Sequence, residues 1–102
     1  MQIALHTRSI VAADLEPLVT RRAGFALGRF ADRIRRLTLR IDDVNGPRGG
    51  YGIECHAIVE FAAGGTLVVK GLARNASTAA CDVIERLRAT VQRNLERHRT
   101  LR

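Results

Sequence analysis

The stretch IECHAIVEFAAGGTLVVKGL, Ile53 to Leu72, decides how this chain folds. From Ile53 to Phe61, Ile53, Cys55, Ala57, Val59 and Phe61 fall on one side, with Glu54, His56, Ile58 and Glu60 on the other. A period of two sends successive side chains to opposite faces of a strand, so one face is buried and the other meets water. Gly64-Gly65 supplies the turn, and Thr66 to Leu72 returns as the second arm of a hairpin.

Upstream, Gly46-Pro47-Arg48-Gly49-Gly50 reads as a loop, because Pro and closely spaced Gly interrupt helix and strand alike. Before it, Ile34 to Asp42 again alternates, with Leu37, Leu39 and Ile41 set against Arg36, Thr38 and Arg40. This predicts a strand with one buried face and one basic face. Between it and the opening strand Gln2 to His6 lies a helix. Asp14 is its cap, Pro17 is tolerated in its first turn, and Leu15, Leu18, Val19, Ala23, Ala26 and Phe30 recur at helical spacing. Gly24 and Gly28, on its outer side, weaken it by about 1 kcal/mol each relative to Ala. They are either tolerated surface positions or points where another backbone comes close.

Downstream, Asn75 or Ser77 opens a final helix, both being good caps. Ala80, Ile84, Leu87, Val91 and Leu95 form its apolar stripe, and Arg86, Arg93 and Arg97 fall within about 40° of one another on the opposite side. The expected fold is therefore α+β: a β-α-β-β-β-α two-layer sandwich, with a four-stranded mixed sheet and two helices on one face. The first two strands are parallel through a right-handed helical crossover, and the short later connections make the other pairs antiparallel. Residues 1–102 read as a single domain, with an Arg-rich tail after about His98 that frays.

Charge narrows the function. Against 10 acidic residues stand 17 basic ones, all arginine except Lys70, for a formal net charge of +7. Such a field concentrates polyanions, and guanidinium forks suit phosphate, so a nucleic acid is the first partner to consider. The plainer reading is a solvated basic surface that aids solubility. The two cysteines, Cys55 and Cys81, show no paired spacing and read as small apolar residues in a reducing compartment. No run approaches the roughly 18 apolar residues of a membrane span, and no leader is evident, so a cytoplasmic protein is expected, with no membrane partner.

Catalysis is not expected. His6 and His56 share the outer face of the sheet while Cys55 points inward, so a nucleophile and a base do not meet. No metal-ligand spacing exists, and the glycines around Gly46 to Gly52 lack a Gly-Lys-Ser/Thr ending, so neither metal, cofactor nor small-molecule substrate is anticipated. Of the four aromatic residues, Phe25, Phe30 and Phe61 fit the core. Without an exposed stacking platform, recognition of folded RNA by shape and backbone is the expectation. Tyr51 reads either as a rim residue or as a stacking side chain. The open sheet face, with Arg36, Arg40, Lys70, Glu54, Glu60, Ile58 and Val68, suits a protein-interaction surface or a dimer interface as an alternative, and a general structured-RNA binder is another.

Met1-Gln2-Ile3, the segment Leu27-Gly28-Arg29-Phe30-Ala31-Asp32-Arg33-Ile34 and the strand after it, and the run from Ala79-Ala80 to Glu85-Arg86-Leu87 in an Arg-rich last helix carry a resemblance. Together they resemble the ribosome hibernation promoting factor family, which includes the ribosome-associated inhibitor protein Y and proteins once labelled sigma-54 modulation proteins. The resemblance implies a stress-response factor that binds the small ribosomal subunit and its ribosomal RNA in the channel of messenger and transfer RNA, stopping translation by occlusion. It also implies RNA-binding roles for Arg29 and Arg33 at the end of the first helix and for Arg86 and Arg93 in the last. Cys81 stands where the family usually has an acidic residue, and Gln92, Asn94 and Leu95 interrupt its usual basic run, leaving Arg88, Arg97 and Arg99 to supply charge from neighbouring turns. With its end at Arg102 the chain resembles a short form without the extra dimerisation domain, and a homodimer is not indicated.

Overall fold

A computed structural model of the protein describes residues 1–8, 15–44 and 52–100, with side chains described up to Arg97. The Asp14 cap, the loop at Gly46 to Gly50, Tyr51 and the Arg99 side chain lie outside the described residues. The elements run β1 (Gln2–Arg8), α1 (Leu15–Leu27), a 3-10 turn (Gly28–Arg33), β2 (Ile34–Asp43), β3 (Ile53–Phe61), β4 (Thr66–Ala73) and α2 (Ala76–Thr100).

The strands form one sheet in the order β1-β2-β3-β4. β1 lies parallel to β2, with Leu5 opposite Leu39, whereas β2-β3 and β3-β4 are antiparallel, with Ala57 opposite both Leu39 and Val69. The β3-β4 hairpin turns on Gly64 and Gly65, whose φ angles of 106° and 89° carry a strain penalty for side chains. Phe61 donates to the Gly65 carbonyl at 3.1 Å, and Gly64 donates to that of Phe61 at 3.0 Å. Asn75 is the cap of α2: its Oδ1 accepts from the Thr78 backbone N–H at 2.8 Å, satisfying one of the donors a helix start leaves open.

The alternation of β2 and β3 builds the core. Leu37, Leu39, Ile41, Cys55, Ala57 and Val59 are fully buried, and Phe61 nearly so, beneath Ala79, Ala80, Val83, Ile84, Leu87 and Val91 of α2. The α1 stripe is Leu15, Val19, Ala23 and Leu27, at every fourth position. Leu18 is only half-buried, and Leu27 takes the place that helical spacing offered to it. A Cβ added at Gly24 or Gly28 meets nothing within 4 Å, so both are tolerated surface positions.

Phe25 departs from expectation. It is 92% exposed rather than part of the core, whereas Phe61 is buried and Phe30 packs partly against the core. The reason is angular: at 100° per residue Phe25 lies about 140° from the middle of the buried α1 stripe.

Cys55 faces the helices, opposite Gly71 of β4 in the register. Burial pushes its thiol up to about 12 from 9.0, against a smaller downward pull from the Arg86 guanidinium. Below pH 9 the thiol is protonated in both folded and unfolded chains and contributes no pH dependence. Between about 9 and 12 only the unfolded chain loses this proton, so stability falls as pH rises through that window. The expected slope is up to about 1.4 kcal/mol per pH unit. Urea unfolding of the wild type and Cys55→Ala between pH 8 and 11 reads this out as a steeper alkaline decline in the wild type; parallel declines would refute it.

Candidate nucleic-acid interface

The candidate arginines separate into two groups according to what their elements pack against. Arg29 and Arg33 belong to the 3-10 turn that ends α1, and Arg88 lies on the side of α2 that faces α1. Arg29 and Arg33 line a cleft of about 250 Å³ with Phe30, Gln92, Leu95 and Glu96. The Arg29 guanidinium sits 5.4 Å from the centroid of the Phe30 ring, a cation–π contact that holds the side chain at the cleft mouth. Gln92 donates to Glu96 at 3.2 Å, occupying an oxygen of the acid in this cleft.

One turn back along α2, Arg88 lines a second cleft with Arg21, Arg22 and Phe25 of α1. Sequence reasoning passed over Arg21 and Arg22; their adjacency on an exposed helix face was the available signal. No hydrogen bond or ion pair to another described residue engages the guanidinium of Arg21, Arg22, Arg33 or Arg88. The seam between the helices therefore carries a run of arginines whose donors remain open to an anion.

The other group lies on the far flank of α2. Arg93 and Arg97 are exposed and likewise have no ion-pair partner among the described residues. Arg86 differs: its guanidinium reaches over β4 and donates to the Lys70 carbonyl. Its surroundings include Glu54, Asp82 and Glu85 as well as Lys70, a mixed-charge hollow that holds a phosphate less readily than the seam. Arg86 thus ties α2 to the sheet edge.

The outer sheet face presents a row across all four strands, His6, Arg40, His56 and Lys70. His56 Nε2 lies 2.9 Å from Glu54 Oε1, without the alignment of a hydrogen bond. On the same face Arg35 pairs with Glu60 at 3.3 Å. Cys55 lies on the inner face, as strand alternation requires, so it does not meet either histidine. Among the described residues no helix is long and apolar enough to cross a membrane.

No family model matches this sequence, and no curated protein does. Solved structures do. The Thermus thermophilus protein Y N-terminal domain superposes with a TM-score of 0.73 at 19% identity, over 91% of this chain and 98% of that one. A ribosomal subunit interface protein from Coxiella burnetii superposes with a TM-score of 0.74 at 12% identity, over 94% of this chain and 99% of that one. The chain shares their fold.

Proposed function

We propose that this chain is a ribosome-associated translation inhibitor that occupies the messenger and transfer RNA channel of the small ribosomal subunit and blocks translation by occlusion. The observation that carries the reading is a run of arginines along the α1-α2 seam with no ion-pair partner among the described residues, set on a fold shared with a ribosomal subunit interface protein. Arg29, Arg33 and Arg88 are the principal contacts to ribosomal RNA phosphates, joined by Arg21 and Arg22. Arg93, Arg97 and Arg99 add charge from the rest of α2, and Arg86 contributes mainly by fixing the helix.

The activity needs no catalytic group and no cofactor. A rigid domain excludes other ligands from a channel simply by filling it, and arginines hold it there through phosphates of folded RNA. Such a protein works in the cytoplasm, where idle ribosomes are kept under stress.

Co-sedimentation with purified small subunits, across a salt series and with excess transfer RNA, tests this. Saturable, near one-to-one binding that weakens steeply with salt but withstands the competitor is expected. Unsaturable binding removed by any polyanion would reduce the protein to a general RNA binder.

A further inference from the structure

Among the described residues Phe25 is the one aromatic side chain that the core leaves out. At 92% exposed it stands on α1 with its ring in solvent, although helix α1 has an apolar stripe that excludes it. A single exposed apolar residue is ordinary; one that stands at the edge of a cleft beside three cations is not. The floor beside Phe25 is apolar, from Ala26 and Ile84, and Arg21, Arg22 and Arg88 stand around it. Among the described residues Glu85 is the one acid at the rim. The cleft measures about 320 Å³, near the lower end of the roughly 300–1,000 Å³ found for small-molecule sites.

We infer that this cleft takes one unpaired nucleotide of an RNA strand, its base stacked on the Phe25 ring and its flanking phosphates on Arg21, Arg22 and Arg88. Every base offers a π face, so an aromatic platform beside cations binds single-stranded RNA with little sequence preference. Three arginines against one carboxylate favour a polyanion, and the formal net charge of +7 brings one to the surface. The inference rests on the ribosome-binding reading and deepens it: within a channel of folded RNA, Phe25 captures a residue that is out of the stack. Recognition is then by phosphate position along the seam together with one base contact, rather than by shape alone.

Two probes separate base from backbone: a fluorescein-labelled octa-adenylate RNA and an abasic ribose-phosphate oligomer of the same length. Phe25→Ala is expected to weaken octa-adenylate binding roughly tenfold while leaving the abasic oligomer unaffected, and Phe25→Trp to restore it. Because the ring makes no core contact, the variant is expected to fold as the wild type does, checked by thermal melting. Cys81, half-buried in the same cleft, provides a second readout: bound octa-adenylate should slow its alkylation, while Cys55 stays buried and protonated. Equal octa-adenylate affinity in wild type and Phe25→Ala, or no binding by the wild type, overturns the inference. Neither result touches the ribosome-binding reading, which stands or falls on sedimentation with small subunits. Loss of a wild-type self-association in Phe25→Ala, with RNA binding intact, would instead make this face a protein interface.

Discussion

Reversing charge at Arg29, Arg33 and Arg88 together is expected to weaken binding to small ribosomal subunits by about a hundredfold or more, with the fold intact. All three side chains are exposed, and none supplies atoms to the core. Hydrogen bonds to charged groups contribute about 1.5–3 kcal/mol each where they are well formed. Even about 1 kcal/mol for each of three solvent-screened contacts amounts to a factor of over a hundred. Glutamate then adds repulsion from RNA phosphate. The salt dependence gives an independent reading: the slope of log affinity against log salt should become shallower by about two to three, one phosphate contact contributing roughly 0.7–0.9. Co-sedimentation of the triple variant over a salt series measures both quantities. The comparison that decides the geometry is Arg86→Glu with Arg93→Glu on the far flank. Arg86 is engaged with the Lys70 carbonyl, so this pair should lower the melting temperature more than it lowers ribosome affinity. Loss of binding in that pair at an unchanged melting temperature, with the seam variant still bound, would move the contact to the far flank.

The difference between these two groups of arginines marks where one-dimensional reading stops. Helical periodicity states which residues leave the core, and it correctly sent Arg86, Arg93 and Arg97 outward. It does not state what lies beside them. Arg88 faces α1 because α2 packs against α1 as well as on β3 and β4. Arg86 lies over β4 because a glycine there leaves room. The hairpin, by contrast, was legible down to its turn, since alternation and Gly64-Gly65 are local signals that tertiary packing has no reason to override. The α2 start was legible to within two residues: of the two caps the chain offers, Asn75 and Ser77, it is Asn75 that accepts the hydrogen bond. Phe25 was misplaced because its residue type argued for the core while its position argued against it. The spacing of Leu15, Val19, Ala23 and Leu27 already left that position outside, and geometry outweighs composition when the two conflict.

Replacing Gly71 with valine is expected to cost about 3 kcal/mol of stability. Gly71 lies on the helix-facing side of β4, with Leu67, Val69 and Ala73, and opposite Cys55. A Cβ placed on it comes 2.6 Å from Val83 Cγ2 and 2.7 Å from Arg86 Nη2, where no carbon atom fits. The two neighbours differ in how they can yield. Arg86 is a long exposed side chain that swings aside, at the cost of its hydrogen bond to Lys70. Val83 is fully buried, so relief there requires α2 itself to lift from the sheet. Glycine in a strand interior ordinarily weakens it, and here that weakness is offset by the close approach of a helix. In a domain of about 100 residues a loss of this size lowers the melting temperature on the order of 15 °C. Gly71→Ala in a Val83→Ala background separates the steric cause from a strand effect: the truncated valine makes room, so the alanine should cost at least about 1 kcal/mol less there than in the wild type. Additive costs in that cycle, or a Gly71→Val variant melting with the wild type, would show that α2 does not rest on Gly71. A lifted α2 would also widen the seam it forms with α1, so Gly71→Val should weaken small-subunit binding without altering a single arginine.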